Sequence, residues 1–118
     1  MDIQIRLAQR CDMQFILEMS NNIFEGHDYF PHVFLRRLDD SKRGIHVAEK
    51  GGVIVGLTTF HVVDDHSTVV IQSLRVHPEY RKQGVSALLT RAQQEYVQAH
   101  FQSVRIERYL FKSKYLKR

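Results

Sequence analysis

Arg81, Lys82 and Gly84 fall within four residues, in the run RKQG, where an apolar β-type stretch hands over to an amphipathic helical one. A helix N-terminus gathers unpaired backbone N–H groups and the positive end of the helix dipole. A loop that aims several of these at one point is an anion site. Gly84 lets the backbone approach a phosphate with no Cβ in the way, and Arg81 and Lys82 add charge at the rim. The chemistry these residue types support is the grip of a phosphate or pyrophosphate just after residue 80. The glycine spacing is neither that of a Walker A loop nor that of a dinucleotide fingerprint. An ordinary solvated turn also carries a Gly between a strand and a helix, so spacing alone leaves both readings open.

The elements that must position this loop are legible as periods. DIQIRLA alternates, with Ile3, Ile5 and Leu7 on one side, and predicts a strand. CDMQFILEMSNNIF follows with Asp12 as N-cap and Met13, Ile16, Leu17, Ser20, Ile23 and Phe24 at helical spacing. EGHDYFP breaks that pattern, and PHVFLRRLDD predicts a second helix with Pro31 in its first turn. GIHVAEK, then Gly51-Gly52, then VIVGLTTFHVV reads as a hairpin around a tight turn. DDHS makes the next turn and TVVIQSLRV a third consecutive strand. A helix is expected from about residue 84 to 101, with Val85, Leu88, Leu89, Ala92, Tyr96 and Ala99 as its apolar stripe. SVRIERYLF is a last strand. The order is β-α-α-β-β-β-α-β, an α/β (α+β) chain whose mixed sheet carries helices packed on it.

Bulk properties narrow the classes. The chain of 118 residues is long enough for one domain, taken as 1–118, and its 43% hydrophobic content can bury a core. No apolar run reaches the roughly 20 residues needed to span a bilayer, so no membrane partner is expected. Asp2, Gln4 and Arg6 interrupt any signal-peptide core at the N-terminus. One cysteine, Cys11, rules out an internal disulfide, fits a reducing compartment, and reads as a small buried thiol at a helix start. A cytoplasmic protein is the expectation. The net charge of +4 invites an anionic partner, with much of the excess in the last fourteen residues, RIERYLFKSKYLKR. The cations follow no recognition helix and no aromatic-basic interleaving, so no nucleic-acid partner is expected. The seven histidines, His27, His32, His46, His61, His66, His77 and His100, fall in no metal-ligand spacing, and no metal is expected.

LRVHPEYRKQGVSALL resembles motif A of the GNAT superfamily of acyl-CoA-dependent N-acetyltransferases. In that family a strand ending in a Val-x-Pro-x-x-Arg pattern precedes a pyrophosphate loop, Arg/Gln-x-x-Gly-x-Gly/Ala. Arg81, Gly84, their spacing and the following helix match it, and the element order before the motif matches the GNAT fold. Ser86 departs from the final Gly or Ala; it is small and keeps its backbone N–H. GHDYFP and GGVIVGLTTF, taken with the motif, resemble the histidine N-acetyltransferase-like group.

The resemblance implies acetyl-CoA as co-substrate and transfer of its acetyl group to a primary amine by direct attack. The acceptor would be a small molecule, the α-amine of histidine or of another small amino acid being the narrower expectation. Within the strand end Leu74-Arg75-Val76, the backbone of Leu74 and Val76 would hold the pantetheine arm. Arg81, Lys82, Gln83, Gly84, Val85, Ser86 and Ala87 would hold the pyrophosphate. Many relatives carry a Glu near the position of Gln72. Gln72 cannot accept a proton at neutral pH but can orient a water or the amine. Glu49 and His61 would be the substitute bases, a plain strand residue being the alternative for each. Asp28 and Tyr29 would meet the acceptor, Asp28 pairing with a cationic amine and Tyr29 stacking on an imidazole; a helix cap and a core aromatic are the plain alternative. Members of the family usually continue with a further helix and two strands, so the chain reads as C-terminally short. That would leave an open sheet edge, with a homo-oligomer or a partner to complete it. The alternative function is a non-catalytic, GNAT-like acyl-CoA-binding module.

Overall fold

The computed structural model describes the backbone of residues 2–24 and 30–110 and the side chains of residues 2–18 and 34–109. Five strands form one sheet in the spatial order of the chain: β1 (Ile3–Leu7), β2 (Arg43–Lys50), β3 (Val53–Val63), β4 (Thr68–Val76) and β5 (Ile106–Leu110). The first four pair antiparallel and β5 joins β4 in parallel. Helices α1 (Met13–Phe24) and α2 (Phe30–Leu38) separate β1 from β2, and α3 (Val85–His100) crosses from β4 to β5. This is the expected mixed α/β order, with a mostly antiparallel sheet flanked by helices.

The alternation of side chains along the strands builds two apolar layers. On one face Ile45, Val47, Ile54 and Leu57 pack with Ile16 of α1 and Phe34 of α2. On the other, Ala48, Val55, Phe60, Val62, Val69 and Ile71 pack with Val85, Leu89 and Val97 of α3. Two glycines let these layers close. Gly44 lies flat under the ring of Phe60, where an added Cβ would overlap the ring. A Cβ on Gly56 would press within 3.2 Å of Val85 and Leu89, so its absence lets the start of α3 approach β3. The β2–β3 hairpin turns at Gly51 and Gly52, both left-handed with φ of +59° and +82°, as the Gly-Gly pair predicts.

Several local expectations are corrected. Asp12 does not cap α1. A 3-10 turn, Arg10–Asp12, precedes the helix and points the Asp12 carboxylate inward, onto Arg6. The same turn sends Cys11 outward, so the thiol is exposed and not buried. Leu7 and Leu17 are partly exposed and join neither layer. In α3 the buried line is Val85, Leu89, Gln93 and Val97, a strict i+4 row, while Leu88 and Ala99 are exposed. A helix lying along the sheet buries a narrow stripe, and a polar residue within it, Gln93, is kept because β3 offers partners. Its amide donates toward the Thr58 hydroxyl (3.4 Å) and the Thr59 carbonyl (3.5 Å).

Candidate active site

β4 ends at Val76, and the chain turns through a 3-10 segment, Pro78–Tyr80. His77 holds this turn by accepting the Glu79 N–H at Nδ1 (3.1 Å). Lys82 and Gly84 then adopt left-handed conformations, with φ of +66° and +81°. The alternation curls the backbone into the start of α3. The first helical bond runs from the Leu88 N–H to the Gly84 carbonyl (3.1 Å). The N–H groups of Val85, Ser86 and Ala87 therefore have no carbonyl within the helix to bond. Nothing lies within 4 Å of the place a Gly84 Cβ would occupy, so it is the positive φ that demands glycine, and the space above it is open. Val85 is buried under the sheet side of the helix and contributes only backbone, whereas Ser86 and Ala87 face solvent.

Three cations surround this curl. Lys82 is exposed. Arg81 folds back so that its Nε donates to the Val76 carbonyl (3.1 Å). Lys50, at the end of β2, brings its Nζ to 3.5 Å from the Gln83 Oε1 and 5.5 Å from the centre of the Tyr80 ring. Sequence reasoning missed Lys50, because only the pairing of β2 with β3 and β3 with β4 carries it to the loop.

Immediately before the loop, β4 is irregular. Thr59 pairs with Gln72 and Leu57 with Arg75, so Thr58 faces both Ser73 and Leu74. This is a β-bulge, with Ser73 left-handed at φ of +59°. Leu74 and Val76 turn their side chains under α3, which places Gln72 and Arg75 on the opposite face. The pairing of β4 with β5 covers Thr68 to Gln72; among the described residues no strand pairs with Ser73–Val76 on that side. The Gln72 Oε1 is buried and has no hydrogen-bond partner among the described groups.

The candidate bases separate in space. His61 pairs with Val70, on the strand next to Gln72 and on the same face, the one covered by α1 and α2. Burial holds its imidazole below the usual histidine value; Arg43 adds to this, Asp40 opposes it, and Arg37 and Lys42 add to it again. It is therefore neutral at neutral pH and able to accept a proton. A shallow groove of about 270 Å³ nearby is lined by Arg36, Arg37, Asp40 and Arg43. Glu49 lies at the hairpin end of β2, two strands from β4, and its carboxylate accepts from the Arg6 Nε (2.8 Å). Asp28 and Tyr29 lie outside the described residues. Among the described residues no three His, Cys, Asp or Glu side chains form a metal-binding group, and no helix is long and apolar enough to cross a membrane.

Comparison with known proteins places this arrangement. Residues 12–111 match the Acetyltransferase (GNAT) family. A histidine N-acetyltransferase from Oreochromis niloticus is 33% identical over 104 residues, which is 88% of this chain and 31% of that protein. The chain thus spans about a third of the length of the curated relatives it matches. Among solved structures, a transcriptional regulator from Bacillus halodurans C-125 superposes with a TM-score of 0.80 at 18% identity, covering 96% of this chain and 84% of that one. The aminoglycoside N-acetyltransferase AAC(6')-Iy, solved in complex with CoA, gives 0.78 at 17% identity, covering 98% and 80%. At such identities the two structures speak for the fold, and the family match speaks for descent: this chain belongs to the GNAT family of acetyltransferases.

Proposed function

We propose that this domain binds acetyl-CoA against the β4–α3 loop and transfers the acetyl group to the amine of a small molecule, the α-amine of histidine being the first acceptor to test. The observation that carries the reading is the succession of a bulged β4 whose described pairing with β5 stops at Gln72, a left-handed curl at Lys82 and Gly84, and the open N-terminus of α3. The relatives named histidine N-acetyltransferase support the narrower acceptor.

In this reading acetyl-CoA supplies an activated thioester carbonyl. The N–H groups of Val85, Ser86 and Ala87 bind the pyrophosphate, with Arg81 and Lys82 adding charge, where the helix dipole favours an anion. The backbone of Leu74 and Val76, beyond the bulge, aligns the pantetheine arm, and one of their N–H groups steadies the carbonyl oxygen as charge develops on it. Arg75 shares the strand end and fixes its register through the pairing with Leu57. The amine must lose its proton to attack. Gln72 orients it or a water, and His61, neutral and on the same face, takes the proton directly or through that water. The ion pair with Arg6 keeps the Glu49 carboxylate two strands away from the bulge.

A second reading has its own support. Gln72 is an amide, and Glu49 is tied up in an ion pair, so a binding module that holds acyl-CoA without turnover fits the same geometry. Thermal unfolding with and without acetyl-CoA, with Gly84→Glu as the control, tests the shared premise. Ligand at 100 times its dissociation constant stabilises by about 2.7 kcal/mol, and the variant should lose that shift. Release of free thiol on adding histidine supports transfer. Binding without thiol release for any amine would support the non-catalytic reading, and no stabilisation would overturn both.

A further inference from the structure

Lys50 is tied into the fold at both of its neighbours. It pairs with Ile3 of β1 and Val53 of β3, and the left-handed Gly51-Gly52 turn fixes the direction in which β2 ends. Its side chain crosses to the loop that follows β4, a segment more than thirty residues away. There it meets that loop twice: Nζ approaches the Gln83 Oε1 at 3.5 Å and lies 5.5 Å from the centre of the Tyr80 ring. Tyr80 in turn sits edge-on to His77, the residue that holds the 3-10 turn. Between Tyr80 and Gln83 stands Lys82, a non-glycine residue in the left-handed region. No local feature of Lys82 favours that conformation, and such residues persist where their surroundings hold them. Lys50 touches the chain on both sides of it, at Tyr80 and at Gln83, while Arg81 is held by the Val76 carbonyl.

We propose that Lys50 is a positioning residue for the cofactor site. It clamps Tyr80 and Gln83 so that the left-handed curl at Lys82 and Gly84 is set before the cofactor arrives, with the N–H groups of the first α3 turn already aimed at one point. The inference rests on the acetyl-CoA reading above and adds to it a residue outside the loop motif.

The test is calorimetric titration of acetyl-CoA into the wild-type chain, Lys50→Met, Lys50→Arg, Gln83→Ala and the double variant Lys50→Met/Gln83→Ala. Methionine keeps an unbranched stem against Tyr80 and removes the charge and the hydrogen bond. The expected result is a Kd raised about 5-fold in Lys50→Met, as for loss of one charged hydrogen bond at a half-exposed site. Lys50→Arg should recover part of the affinity. The double variant should be no weaker than the worse single one, because both break one contact. The melting temperature without ligand should fall by no more than a few degrees, and the KM for the acceptor should stay at its wild-type value, which a general loss of structure would not allow. Wild-type affinity in Lys50→Met, or single effects that simply multiply, would overturn the inference while leaving the cofactor site standing. Absence of binding by the wild-type chain would overturn both.

Discussion

The Thr59 hydroxyl donates to the Gln72 carbonyl at 2.8 Å, on the last regular ladder pair before β4 bulges at Ser73 and Leu74. Thr59 is buried, so the bond is shielded from water. It anchors the strand at the point where the register slips. Thr59→Val keeps the shape and removes the donor. The expected result is a loss of about 1 kcal/mol in chemical denaturation, together with faster amide exchange at Ser73 and Leu74. Unchanged exchange there would show that the bulge stands without this hydroxyl.

Asp12 is gripped by both terminal nitrogens of Arg6, at 2.9 Å each, and accepts the Gln9 N–H at 2.7 Å. Burial pulls its carboxyl upward, but the bonds from Arg6 and Gln9 and the Arg6 charge outweigh it, and the group sits below the usual carboxylate range. A lowered folded-state value means that the stabilisation is complete above the unfolded value, near 3.9, and is lost as pH falls through the folded one. Asp12→Asn should lose about 2 kcal/mol at pH 7, a part-exposed Arg6 softening the usual penalty for breaking a buried pair. The gap between variant and wild type should close on acidification below about pH 4. Urea titrations at several pH values would show it, and a gap independent of pH would rule out the ion pair as its source.

His46 is buried between β2 and α3, edge-on to Tyr96 at 5.2 Å, with Phe60 beside it. Burial holds its imidazole below the usual value, against a smaller opposing effect of Gln93. The unfolded state then binds the proton first, so stability falls as pH drops below about 6.5. His61 contributes a slope of the same sign. The informative quantity is therefore the difference between wild type and His46→Leu. The variant should lose up to about 1.4 kcal/mol per pH unit of slope in the window below pH 6.5. Parallel curves would mean that His46 does not titrate there.

Gly44 leaves no room for a side chain under the fully buried ring of Phe60. Gly44→Ala should destabilise by about 1–3 kcal/mol through overpacking. Adding Phe60→Leu should restore part of that loss, a non-additivity expected only of residues in contact. Additive losses in thermal or chemical unfolding would place the strain elsewhere.

The linear pattern of the chain determined the elements, their order and the place of the β4–α3 loop. A period of two marked the first strand and β-rich runs between turns marked the others, the Gly51-Gly52 pair marked the hairpin, and the contrast between an apolar run and RKQG marked the strand–helix junction. These are local properties, set by backbone sterics and by which residues can share a face. Most of the candidate cofactor residues were legible for that reason, since Arg81 through Ala87 are contiguous.

Tertiary structure alone decided what local rules cannot reach. The bulge at Ser73 arises from the register of β3 against β4, and a serine carries no mark that it will turn left-handed. Lys50 joins the loop only because two successive strand pairings bring the end of β2 beside it. Asp12 looked like a helix cap, but a buried carboxylate beside an arginine gains more from the ion pair, and that choice turned Cys11 outward. Gln93 interrupts an apolar stripe and is buried anyway, because Thr58 and Thr59 wait opposite it on β3. In each case the deciding energy is a contact between residues far apart in the chain, and only the folded sheet brings them within reach.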